Sequence, residues 1–142
     1  MLTAEQSRLA VFGAVDGLVM VMGIVIGLLV ARQGSNAAWH AALGGAAGEL
    51  VGMTAGQHTS SPESGWRTAL ICGIAGAAAC LAPALPFAAL HGFTASLAGA
   101  LIAAGVAAVI CWLRPERGFR SVSRTFGVLI GAGILSGLTG LI

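Results

Sequence analysis

Asp16 and Glu49 stand inside apolar segments, and each is followed four residues later by a methionine, Met20 and Met53. A carboxylate at membrane depth costs roughly 2.5–3.5 kcal/mol on insertion scales, so it needs a partner or a purpose. The i,i+4 spacing sets each acid and its thioether on one helix face. Carboxylates supply charge and hard oxygen ligands, whereas thioethers favour softer cations and discriminate against Mg2+ and Ca2+. The mixture suits Fe2+, with Mn2+, Co2+ or Zn2+ as alternatives. Metal binding expels protons from such ligands, so two carboxylates could exchange protons for one divalent ion. A structural reading stands beside this one. An intramembrane acid can instead lock two helices together, and methionine is common core filler.

The elements that must position these residues are membrane spans. The chain has 142 residues, of which 57% are hydrophobic and only 8% charged. A soluble domain carries about 25% charged residues, so the composition indicates a single all-α integral membrane domain over 1–142. Five apolar stretches lie near the ~20 residues needed to cross a bilayer, at about 9–31, 37–58, 68–89, 94–113 and 122–142. Thr3 and Gln6 fit a capping box that opens the first helix, and the polar start lacks the basic region of a signal peptide. Pro83 and Pro86 are expected to kink or end the third helix. Trp39, Trp66 and Trp112 fall at span ends, as an aromatic belt requires.

Arginine placement orients the spans. Arg8, Arg67, Arg114, Arg117, Arg120 and Arg124 fall on one side and Arg32 alone on the other, which predicts a cytoplasmic N-terminus. The net charge of +2 comes from these loop arginines and points to no nucleic-acid partner. At 1.5 Å per residue, Asp16 lies roughly 10 Å and Met20 roughly 16 Å from the cytoplasmic end of the first span. On the antiparallel second span Glu49 lies roughly 14 Å and Met53 roughly 8 Å from the same end. These depths predict two layers, Asp16 level with Met53 and Met20 level with Glu49.

Gly44, Gly48, Gly52 and Gly56 form an i,i+4 ladder on the second span, and Gly13 and Gly17 repeat the spacing on the first. Such faces let helices approach closely, and the ladder is expected to clamp the second helix and so position Glu49. Gln57 extends the Glu49–Met53 face one turn further, and with His58 it could form a vestibule for a hydrated cation. Ordinary interfacial polarity is the alternative. His40 and His91 read as solvated interfacial residues, and Cys72, Cys80 and Cys111 as small buried hydrophobes.

The stretch AVFGAVDGLVMVMGIVIGL resembles the first transmembrane helix of the vacuolar iron transporter family, with its FG-x-x-DG-[LI]-V run. GGAAGELVGMTAGQHTS is similar to that family's second helix, where small residues lead to M-x-x-G-E-[YF]-x-S. RTFGVLIGAGILSGLTGLI is similar to its last helix. The resemblance implies proton-coupled export of Fe2+ or Mn2+ from the cytosol by a homodimer with its pathway between protomers. It implies no bound cofactor and no enzymatic activity. The family's helix-one Asp falls on Asp16 and its helix-two Met on Met53, both implied to lie on the path. Two departures are visible. About nine residues join helices two and three, so the cytosolic glutamate-rich domain of the eukaryotic members is missing. Gln57 stands where the family has glutamate, which removes a charge at the cytoplasmic mouth.

The expectation is therefore a divalent-metal/proton antiporter in a bacterial inner membrane. A broader cation exporter and a non-transporting membrane scaffold are its rivals. No paired nucleophile and base suggests an enzyme.

Overall fold

The computed structural model describes residues 2–113, with Gly127, Ile130, Gly131, Ile134, Leu135 and Leu138. The elements are α1 (Ala4–Val30), α2 (Ser35–Ser60), α3 (Gly65–Ala84), the short α4 (Pro86–Ala89) and α5 (Gly92–Leu113). The six later positions are helical, and no strand occurs among the described residues. Most of the expected span 122–142, and the arginine-rich stretch before it, lie outside the described residues.

The capping box at the start of α1 is formed. Thr3 Oγ1 accepts the Gln6 amide at 3.2 Å, and Gln6 Oε1 accepts the Thr3 amide at 2.9 Å. Two otherwise orphaned amides are satisfied, so α1 starts at Ala4 rather than where the apolar run begins. α1 ends with Arg32 in the left-handed region at φ 57°, and the Gln33 amide donates to the Leu28 carbonyl at 2.8 Å. That six-to-one bond satisfies a terminal carbonyl and turns the chain sharply, although an arginine there lacks the conformational freedom of glycine. Gly34 caps α2, its carbonyl accepting the Ala37 amide at 3.0 Å.

A single 3-10 turn, Pro62–Ser64, joins α2 to α3. Pro83 sits inside the last turn of α3, and Pro86 takes the first turn of α4. A proline lacks the amide that would continue the helix, so the chain breaks at Leu85 as expected.

α1, the stretch Pro62–Ala84 and α5 are each long and apolar enough to cross a membrane. α2 has 26 residues, but its serines, histidines, threonine and glutamate make it more polar than these three. It is held by α3, which packs along both α1 and α2 and forms the centre of the bundle. The core joins Leu18, Val21 and Val25 of α1 to Ala38, Ala42 and Ala46 of α2 and to Ala79, Cys80 and Ala84 of α3. Two of these three helices contribute almost only small side chains. Close backbone approach therefore replaces large-side-chain packing, as is usual where lipid provides no hydrophobic drive.

Candidate functional site

The carboxyl groups of Asp16 and Glu49 meet across α1 and α2, interacting through charge and through a side-chain contact. Met20 lies one turn further along α1, and its methyl stands 3.7 Å from the position a Gly45 Cβ would occupy. The α1–α2 register is thus Asp16 against Glu49 and Met20 against Gly45. The expected layers, Asp16 with Met53 and Met20 with Glu49, are displaced by one turn. The count of depth along α1 starts too late, because the capping box opens the helix at Ala4. Measured from the observed ends, Ala4 and Ser60, Asp16 and Glu49 each lie roughly 17–18 Å deep. A count from the start of the apolar run sets Asp16 too near the N-terminal end of α1.

Glu49 is 6% exposed. Its seat is Gly76 on α3, where a Cβ would stand 2.7 Å from both Glu49 Cγ and Oε1. α1 closes on the same place, because a Cβ at Gly17 would strike the Gly76 carbonyl. Gly76 leaves the volume that the carboxylate fills, and Gly17 lets α1 close on the Gly76 backbone. The Gly44–Gly56 ladder does not perform this task. Gly44, Gly48, Gly52 and Gly56 are exposed, with nothing within 4 Å of a Cβ at any of them. The expected clamp on α2 is corrected accordingly. The clamp comes from α3, through Gly76 and through Gly73, whose missing Cβ makes room for Thr54 Oγ1 and the Leu50 carbonyl. Sequence reading missed these residues. The signal was available in the small-residue stripe Ala69, Cys72, Gly73, Gly76, Ala79, Cys80 on α3, all of which are buried.

Among the described residues, three buried side-chain polar atoms have no hydrogen-bond partner: Glu49 Oε1, Thr54 Oγ1 and His58 Nδ1. All belong to α2, and they step from its middle towards its C-terminal end. Buried polar groups are ordinarily satisfied, so a file of unpartnered ones marks a place where water or a ligand can complete the bonding. His58 is held by stacking on Trp66 at the start of α3, with centroids 4.3 Å apart and rings 21° from parallel. Gln57 is half-buried beside it, while the Thr59 hydroxyl folds back onto the Ala55 carbonyl at 2.9 Å. Met53 is half-buried one turn beyond Glu49.

Asp16 is exposed on the isolated chain, and so is Phe12 one turn before it. No cation pairs with either carboxylate among the described residues. No three His, Cys, Asp or Glu side chains converge on one point among them either. The site is thus an acid pair with one buried, unpartnered oxygen, a thioether one turn to each side, and a polar file leading away along α2.

No family model, curated protein or solved structure matches the chain.

Proposed function

We propose that the chain exports a divalent transition metal from the cytosol in exchange for protons, with Fe2+ the foremost cargo and Mn2+ next. The observation that carries this reading is the contact between Asp16 and Glu49 on facing helices, with Glu49 Oε1 buried and unpartnered. Two acids held together without a counter-charge favour either a shared proton or a cation between them. Exchange of one for the other is the elementary step of an antiporter. Met20 and Met53 would favour a transition metal over Mg2+ or Ca2+ on either side of that pair. Gln57 and His58 would form the cytoplasmic mouth, and the Thr54 and Glu49 oxygens the next stations inward.

The resemblance of α1 and α2 to vacuolar iron transporters supports the same direction of transport. It also supports five spans with a cytoplasmic N-terminus, in a bacterial inner membrane. A homodimer accounts for two exposed features at once. An Asp16 carboxyl facing lipid would be costly, and the bare glycine face of α2 is shaped for close helix approach. A second copy covering α1 and α2 would enclose Asp16 in a pathway between protomers.

The test is flux in proteoliposomes. Purified protein should move Fe2+ when a proton gradient is imposed, and Asp16→Asn should stop it while the protein still assembles. Normal flux in Asp16→Asn and Met53→Ala would remove the proposed site. Absence of flux for every divalent ion in the wild type would favour a scaffold, in which the acid pair only joins helices.

A further inference from the structure

Two unpartnered oxygens of α2 lie in one seam, the contact of α2 with α3. Glu49 and Thr54 are 6% and 7% exposed, and neither Glu49 Oε1 nor Thr54 Oγ1 has a hydrogen-bond partner. Both side chains are seated on glycines of α3. The three atoms nearest a Cβ at Gly76 all belong to Glu49: Cγ, Oε1 and Cδ. Those nearest a Cβ at Gly73 are Thr54 Oγ1 and the Leu50 carbonyl, its oxygen at 2.6 Å. No apolar side chain is among the nearest atoms at either place. Gly73 and Gly76 are three residues apart, so their Cβ positions are neighbours roughly 5–6 Å apart on one helix face. α2 thus presents to α3 a carboxylate oxygen, a hydroxyl and a carbonyl. A helical threonine commonly satisfies its hydroxyl on the carbonyl one turn back, as Thr59 does on Ala55 at 2.9 Å. Thr54 makes no such bond to Leu50, and a helical carbonyl keeps a second lone pair, so both oxygens are available.

We propose that Glu49 Oε1, Thr54 Oγ1 and the Leu50 carbonyl form a monovalent-cation site, selective for Na+, in the seam between α2 and α3. The site shares Glu49 with the proposed exchange but does not depend on it. Its donors are all hard oxygens, with one negative charge among them. That set suits a hard monovalent ion, whereas a transition metal is better served by the thioethers beside the acid pair. Na+ has nearly the radius of Ca2+, whose oxygen bonds are about 2.3–2.6 Å, so one ion reaches across the gap between the two glycine positions. The seat is small, because a Cβ at Gly17 would strike the Gly76 carbonyl and α1 already closes on the seam. A larger K+ is disfavoured for that reason. Water completes the coordination shell. A sodium ion held there offsets the Glu49 charge and competes with any proton or divalent ion bound at the acid pair.

The test is thermal unfolding of the full-length protein in detergent, with Na+ exchanged for K+ or choline at constant ionic strength. Na+ should raise the wild-type midpoint, since an ion that binds only the folded state stabilises it by mass action. K+ and choline should not. Thr54→Val removes an unpartnered hydroxyl, so in choline the variant should be at least as stable as the wild type, yet it should lose the Na+ increment. Thr54→Ser should keep that increment. Direct binding of radioactive Na+ should weaken about tenfold or more in Thr54→Val, the scale on which metal sites respond to loss of a supporting group, and vanish in Glu49→Gln. A midpoint blind to Na+, or an increment that survives in Thr54→Val, overturns the site and leaves these oxygens to water. Na+ binding without flux of any divalent ion removes the antiporter and leaves the site. Proton-coupled Fe2+ flux without Na+ binding removes the site and leaves the antiporter.

Discussion

Two glycine faces of this protein share the same helical spacing and have opposite fates. Gly13 and Gly17 on α1 lie against backbone, the Cys72 and Gly76 carbonyls of α3. Gly44, Gly48, Gly52 and Gly56 on α2 meet nothing within 4 Å. The first face is used within the chain, and it holds α1 against α3 where Gly76 seats Glu49. The second is left bare beside an exposed Asp16. Spacing of small residues records that a backbone can approach, and it carries no address for which backbone does. The longer and more regular ladder was the more conspicuous signal, yet the short pairs on α1 and α3 position the site.

The largest expected effect tests whether the closed seam is also the functional one. Asp16→Asn should lower proton-driven Fe2+ flux at least about tenfold, equivalent to roughly 1.4 kcal/mol or more, with assembly unchanged by size-exclusion chromatography. Undiminished flux would reduce the seam to a structural joint. Next, Gly17→Ala should destabilise the fold by about 1–3 kcal/mol, because its methyl meets the Gly76 backbone rather than a movable side chain. Thermal unfolding in detergent reads this, and a neutral result would mean the seam can open.

Gly48→Ala should behave in the opposite way, leaving monomer stability unchanged or raising it by up to about 1 kcal/mol through helix propensity. Gly48→Ile should spare the monomer but shift crosslinking from dimer to monomer, since the bare face is where we place the second copy. If Gly48→Ala is as damaging as Gly17→Ala, the contrast between the two faces is wrong. The smallest effect is at the edge of the seam. Thr3→Ala should cost about 1 kcal/mol by removing the cap that starts α1 early. Unfolding in denaturant measures it, and no change would show that α1 is set by packing alone.

Much of the fold was legible because lipid-scale apolar runs are unambiguous. Helices occur over 4–30, 35–60 and 92–113, overlapping the apolar runs at 9–31, 37–58 and 94–113, although α1 begins before its run and α2 is not among the stretches apolar enough to cross a membrane; the break at Pro83 and Pro86 falls where proline chemistry requires it. The depth of Asp16 was not legible from hydropathy, because the helix begins with the polar turn Ala4-Glu5-Gln6-Ser7 under its Thr3 cap. An apolar count starts too late there, and the error is one turn. The contribution of α3 was hidden for a related reason. Gly76 looks like filler until the carboxylate that lies against it is known.

The sequence alone determined that the chain is a set of helices whose interiors carry the acids Asp16 and Glu49 and three thioethers, Met20, Met22 and Met53. It did so through local rules: apolar length, helix periodicity, a capping box and prolines. The tertiary structure decided that Asp16 meets Glu49, that Gly76 seats the Glu49 carboxylate, and that Ile24, Met20 and Cys80 surround Gly45. Those facts depend on the register and rotation of three helices. Side-chain spacing within one helix constrains neither, since both are set by which small residues let two backbones close together.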